Sequence, residues 1–161
     1  MMLSKAIFAA GSFWEVQTAF EKLPGVIASV VGYIGGNQEN PTYLEVSEGN
    51  TGHAEAVEVV FDPEIISYEQ LLETFFSSHD PTSLNRQGAD IGSQYRSAVF
   101  YLNETQKEAA LSKIAVLNAS RRYRRPIVTE VTPATRFWTA EEHHQKYLQK
   151  PGQTSCIYKI D

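Results

Sequence analysis

Ser12 lies in Gly11-Ser12-Phe13-Trp14, where an apolar run from Lys5 to Ala10 gives way to apolar residues at helical spacing. A side chain between a strand and a helix N-terminus faces free backbone N–H groups and the positive end of the helix dipole. A thiol at such a place loses its proton readily, because the thiolate is stabilised there. A serine at the same place is ordinarily just an N-cap, and no serine-hydrolase elbow surrounds this one. Glu55, in Gly52-His53-Ala54-Glu55, shares strand parity with Val57 and Val59, which suggests the buried face. A carboxyl facing a pocket there has its pKa raised by desolvation and can serve as an acid near neutrality. The plainer alternative is a strand carboxylate facing solvent, like Glu58. Tyr43, Asp90 and Tyr95 lie in or beside loops, where packing and turn formation are the ordinary roles.

Cys156 is the only cysteine, five residues before Asp161. A single cysteine rules out an internal disulfide and a cysteine-built metal cage, and by itself reads as an inert tail thiol. His53, His79, His143 and His144 show no metal spacing; on a helix the adjacent pair would point about 100° apart. No Gly-rich phosphate fingerprint occurs, so neither metal nor cofactor is expected.

The elements that must position these residues alternate between strand and helix. Strands are predicted over Lys5–Ala10, Val26–Tyr33, Ala54–Asp62, Gln94–Leu102 and Ile127–Val131. Helices are predicted over Phe13–Lys22, from a Ser67/Gln70 capping box through Phe76, and over Glu104–Ser120 behind Asn103. The last of these carries Leu111, Ile114 and Leu117 on one face. Thr139 and Glu142 form a further capping box for a helix to about Gln149. Asn37–His53 and Thr82–Gly92 read as long loops, of a length that usually carries function. Several strands are short and amphipathic, which favours an α+β fold, a two-layer α/β sandwich with a mixed sheet, over a doubly wound one.

With 161 residues and neither repeat nor linker, residues 1–161 read as a single domain, with a core over about 5–148 and an irregular C-terminal tail over 149–161. The net charge of −5 argues against nucleic acid or an anionic membrane as partner. The exception, Arg121 to Arg125 around Tyr123, reads as cations at a helix C-terminus before Pro126. The N-terminal stretch lacks a secretory pattern, so a cytoplasmic location is expected.

Taken together, the segments resemble one family. Gly11-Ser12-Phe13-Trp14 is similar to the Gly-Cys-Phe-Trp signature of the A-type peptide methionine sulfoxide reductases. Gly32-Tyr33-Ile34-Gly35-Gly36, Pro41-Thr42-Tyr43, Gly49 to Glu55, His79-Asp80-Pro81-Thr82 and Asp90 to Ser97 match its further blocks, from about Ala6 to Leu148. The resemblance implies reduction of the S epimer of methionine sulfoxide, in proteins and as the free amino acid. Ser12 occupies the place of the nucleophilic cysteine. Phe13 and Trp14 would wall the pocket for the substrate's methyl group, with His53 counted among the substrate-binding residues. Glu55 would protonate the sulfoxide oxygen, Tyr43 and Tyr95 would hydrogen-bond it, and Asp90 would position a water beside it. Attack by the cysteine leaves a sulfenic acid. Cys156 is the candidate resolving thiol, thioredoxin the reductant of the resulting disulfide, and a monomer the expected state.

Three departures stand out. Ser12 lacks the thiol, which predicts no turnover for this chain. Glu15 stands where small residues such as glycine are common, and Gln17 where glutamate is frequent. A serine at position 12 reads either as a substitution introduced for cysteine or as a natural homologue that binds oxidised methionine without reducing it. The intact remainder of the site and the presence of Cys156 favour the first. Hydrolysis by Ser12 would need a base, and His53 has no convincing acid to orient it.

Overall fold

A computed structural model describes residues 2–149; Cys156 and the rest of the 149–161 tail beyond Gln149 lie outside the described residues. In chain order the elements are β1 (Ser4–Ala10), α1 (Phe13–Glu21), β2 (Val26–Ile34), α2 (Tyr43–Ser47), β3 (Ala54–Phe61) and α3 (Tyr68–Ser77). There follow β4 (Arg86–Gln87), β5 (Asp90–Ile91), β6 (Ser97–Tyr101), α4 (Glu104–Ala119), β7 (Glu130–Pro133) and β8 (Trp138–Thr139). Six strands form one sheet in the order β7-β6-β1-β3-β2-β8, and β4 pairs with β5 in a separate hairpin. Every pairing in the large sheet is antiparallel except β6 with β7, so the sheet is mixed and the fold is α+β, as expected.

β1 is central, and every residue from Ala6 to Ala10 is buried, which is why it reads as a solid apolar run. One face of the sheet carries Phe8, Val31, Tyr33, Val57, Val59 and Val99 beneath the helices. Phe20 and Phe75 each lie 5.1 Å from the Phe8 ring there, and burying such rings supplies much of the core's stabilisation. The other face is a smaller core of Ile7, Ile34, Ala56 and Phe100, with Ala134 and Phe137 packed against it.

Helix ends follow local chemistry. Ser67 and Gln70 form the predicted reciprocal cap of α3, and the Asn103 side chain accepts from the Gln106 N–H at the start of α4. Thr42 and Glu45 form a capping box inside the segment read as loop, and α2 results. The Thr82–Gly92 loop likewise contains the β4–β5 hairpin. Gln94 and Tyr95, expected in a strand, instead belong to a 3₁₀ turn, Ser93–Tyr95, and the predicted Ile127–Val131 strand is displaced to β7. On α4 the buried positions are Gln106, Ala110 and Leu117, with Ile114 partly packed; Leu111 is 48% exposed, one residue past the buried stripe. In the basic run, Arg122 bonds Glu73 and Ser77 of α3, and Arg125 lies 3.7 Å from Asp80. Arg122 ties the segment after α4 to α3, and Arg125 ties it to the loop that follows α3.

The predicted helix after Thr139 does not form. Thr139 belongs to β8, opposite Gly32, and the chain continues as two 3₁₀ turns, Glu142–His144 and Tyr147–Gln149. Tertiary hydrogen bonds override the capping signal. Gln145 Oε1 accepts from the Val31 N–H at 2.9 Å and Nε2 donates to the Val31 carbonyl at 3.0 Å, so one side-chain amide satisfies the edge of β2. Gln145→Ala is expected to lower stability by about 1–3 kcal/mol, read from the urea midpoint, because the Val31 N–H loses its acceptor. An unchanged midpoint would show that water replaces the amide at no loss.

Candidate active site

Gly11, at φ +95°, makes the turn out of β1 that sets Ser12 at the N-cap of α1. Ser12 is 5% exposed, and its carbonyl accepts from the N–H groups of Glu15 and Val16 at 3.2 and 3.3 Å. Its side chain makes no capping hydrogen bond. The ordinary role of a serine at this place is therefore not the one it takes, and the side chain sits in the field of the helix N-terminus.

Glu55 is the first residue but one of β3 and lies directly opposite Tyr33 of β2. The parity argument is met: the carboxyl is on the helix-covered face and 1% exposed. Oε1 accepts from the Phe13 N–H at 3.1 Å, which joins the acid to the residue after Ser12. Among the described residues Oε2 has no hydrogen-bond partner. Burial pushes the carboxyl up to about 8, the Phe13 N–H opposes that, and the charge of Asp90 adds to it. The group is thus predominantly protonated at neutral pH, and one oxygen is uncommitted. That is the state a general acid needs.

Aromatic rings from separate segments gather beside it. Phe13 lies 6.0 Å from Tyr43 and 5.7 Å from Tyr33, and Trp14 lies 5.6 Å from Tyr43 and 4.1 Å from Tyr147. The Trp14 Nε1–H donates to His144 Nδ1 at 3.2 Å, which fixes the orientation of the indole. Glu141 holds the rings in place: Oε1 accepts from the Tyr33 hydroxyl at 2.7 Å and Oε2 from the Tyr43 N–H at 3.0 Å. Burial would raise the Glu141 carboxyl, but these two donors, its own backbone N–H and the charge of His144 together hold it below the usual range. Burial, and then the bond to Glu141, push the Tyr33 hydroxyl far up, so it remains a donor.

Asp90, from β5, lines a cavity of about 120 Å³ together with Ser12 and Glu15. Burial and then the charge of Glu15 hold its carboxyl above the ordinary range. Tyr95 ends the 3₁₀ turn that packs against β3, and its side chain is half-buried. His53, counted among the substrate-binding residues by the resemblance, is buried beside the loop after β2. Its Nδ1 accepts from the Gly36 N–H at 3.0 Å and its Nε2 donates to the Gln38 carbonyl at 2.7 Å, so both ring nitrogens hold the loop after β2. A Cβ at Gly36 would come within 2.4 Å of the His53 nitrogen and the Thr51 carbonyl. Gly36→Ala is expected to destabilise by about 1–3 kcal/mol, measured by thermal unfolding, because backbone must move on both sides. An unaltered Tm would mean that the loop tolerates the added methyl.

Gln17, the other departure noted in α1, is buried and used at both ends. Its Nε2 donates to Ser29 Oγ at 3.1 Å and its Oε1 accepts from the Lys146 N–H at 2.6 Å. A carboxylate could not donate the first of these. Sequence reasoning missed Tyr33, Glu141, His144 and Tyr147 as parts of the site. The parity of Tyr33 with Val31 carries a signal of burial. The other three stand on a segment whose irregular path no local pattern announces.

A buried acid with its carboxyl raised by burial, a helix N-terminus beside it and a group of packed aromatic rings lie together within one α+β fold. Residues 4–161 match the family described as peptide methionine sulfoxide reductase. The "Peptide methionine sulfoxide reductase MsrA" of Geobacter sulfurreducens is 53% identical over 154 residues, spanning 96% of this chain and 95% of that protein. Methionine sulfoxide reductase A of Corynebacterium diphtheriae superposes with a TM-score of 0.84 at 34% identity, over 97% of this chain and 78% of that one. Reduced Mxr1 from Saccharomyces cerevisiae gives 0.88 at 30% identity, over 96% and 89%. Mxr1 solved in complex with Trx2 gives 0.62 at 21% identity, over 90% and 84%, a likeness of fold. The chain belongs to the peptide methionine sulfoxide reductase family.

Proposed function

We propose that the chain is built to reduce the S epimer of methionine sulfoxide, in peptides and as the free amino acid, with cysteine as the working residue at position 12. The observation that carries this reading is Glu55: a carboxyl protonated at neutral pH, joined to the Phe13 N–H and with one oxygen uncommitted. Sulfoxide sulfur becomes a good electrophile when its oxygen takes a proton. Glu55 supplies that proton, and Tyr43 and Tyr95 hydrogen-bond the oxygen. Phe13 and Trp14 receive the methyl group, and Asp90 orders a polar group or water beside it. The thiolate attacks sulfur, methionine leaves, and the oxygen remains on the cysteine as a sulfenic acid. Cys156 then condenses with it to a disulfide, releasing water, and thioredoxin reduces that disulfide. The yeast relative's complex with Trx2 supports the choice of reductant.

Ser12 itself favours a second reading, in which this chain binds oxidised methionine without reducing it. The deciding experiment gives this chain and its Ser12→Cys form the S and R epimers of an N-acetyl methionine sulfoxide amide, with dithiothreitol as reductant. Reduction of the S epimer by the Ser12→Cys form alone supports the first reading. If neither form reduces either epimer, the binding reading stands.

A further inference from the structure

α2 spans five residues, Tyr43–Ser47, too few for a helix to hold its own turns in water. The Thr42–Glu45 capping box satisfies two N–H groups at its start. Side chains from distant parts of the chain hold the two ends. The Tyr43 N–H donates to Glu141 Oε2 at 3.0 Å, across 98 positions. The Ser47 carbonyl accepts from Gln94 Nε2 at 3.1 Å, across 47 positions. These are backbone groups of the kind a helix leaves open at its termini.

Each clamp has a second anchor. Glu141 Oε1 accepts from the hydroxyl of Tyr33 at 2.7 Å, and Tyr33 lies opposite Glu55 in the sheet. Gln94 is 5% exposed within the turn Ser93–Tyr95. The N-cap of that turn is Gly92, at φ +144°, where a Cβ would collide with Gln94 Oε1, so glycine leaves room for the amide. Gln94 directly precedes Tyr95, and Tyr43 opens α2 with its ring 6.0 Å from Phe13 and 5.6 Å from Trp14. The two bonds therefore run from the strand beside Glu55, through the helix of one tyrosine, to the turn that carries the other.

We propose that Glu141 and Gln94 are positioning residues that clamp α2 at its two ends and so fix Tyr43 relative to Tyr95. The inference rests on the reading of these two phenols as donors to the sulfoxide oxygen. It adds that their placement is set by a carboxylate and an amide that do not themselves touch the substrate.

The test makes Glu141→Ala, Glu141→Gln and Gln94→Met separately, each in the unaltered chain and in the Ser12→Cys form. Amide hydrogen exchange is followed by mass spectrometry of peptides covering α2, β1 and β3. Glu141→Ala and Gln94→Met are expected to speed exchange in α2 about tenfold or more and to leave β1 and β3 unchanged. Glu141→Gln should recover most of the loss, because its amide can accept from the Tyr43 N–H and donate to the Tyr33 hydroxyl oxygen. In the Ser12→Cys form, Glu141→Ala and Gln94→Met should slow single-turnover reduction at saturating S epimer about tenfold or more, with Glu141→Gln again restoring most of it. Unchanged exchange in α2 overturns the clamp. Faster exchange with unaltered single-turnover rates overturns its bearing on the two phenols. If the Ser12→Cys form reduces neither epimer, the proposed function fails, and the exchange rates still decide whether Glu141 and Gln94 hold α2.

Discussion

The Ser12→Cys protein is expected to consume methionine-S-sulfoxide in a single turnover, where the Ser12 chain shows none. A serine hydroxyl is nearly un-ionised at neutral pH and a poor nucleophile toward sulfur, whereas an ordinary thiol titrates near 8.5 and is ionised in part. Loss of the nucleophile in covalent catalysis costs on the order of 10⁶ in rate. The fold itself should tolerate the change, because serine and cysteine have the same shape apart from one chalcogen atom and the α1 cap does not use the Ser12 side chain. Mixing stoichiometric enzyme with substrate and quenching should yield one equivalent of methionine and one of a sulfenic acid or its disulfide, detected by mass. Equal, undetectable product from both forms would remove the nucleophile's role from position 12.

Glu55→Gln in the Ser12→Cys form is expected to have two opposite effects. The reductase step should slow by about 10²–10⁴ at neutral pH, because the amide can hydrogen-bond the sulfoxide oxygen without giving it a proton. The fold should become more stable over the same pH range. Burial holds the Glu55 carboxyl up to about 8 in the folded chain, against an ordinary value of 4.5. Between those limits the unfolded chain has released a proton that the folded chain retains, so stability falls as pH rises through the window and levels off above it. At pH 7 the difference amounts to about 3 kcal/mol. Glutamine keeps an acceptor for the Phe13 N–H and carries no charge to desolvate. Urea midpoints of the two proteins should therefore converge near pH 4 and separate steadily to pH 8, the Glu55→Gln protein being the more stable. Midpoints that run parallel across that range would show that the carboxyl is not protonated by burial.

Much of the fold was legible because it is local. The solid apolar run of β1, the caps at Ser67 and Asn103 and the parity of Glu55 with Val57 each follow from a residue and its near neighbours. The apolar run ending at Gly11 and the helical spacing from Phe13 placed position 12 where a strand meets a helix, and the backbone does so. His53, two residues before Glu55, makes contacts that no local pattern announces: its ring nitrogens bond the loop at Gly36 and Gln38.

The amino-acid sequence by itself determined the α+β class, the strand-to-helix turn that presents residue 12, and the face on which Glu55 lies. These depend on hydrophobic period, glycine and capping chemistry within a few residues. Only the tertiary structure decided the state of that acid and which rings gather beside it. The Glu55 carboxyl is raised by burial under α1 and by Asp90, which is 35 positions away in the sequence. The segment from Glu141 to Tyr147 abandons the helix its capping pattern promises, because Gln145 satisfies the edge of β2 and Glu141 ties Tyr33 to Tyr43. Long-range hydrogen bonds of this kind outweigh a local preference worth about 1 kcal/mol, and no pattern within the segment announces them.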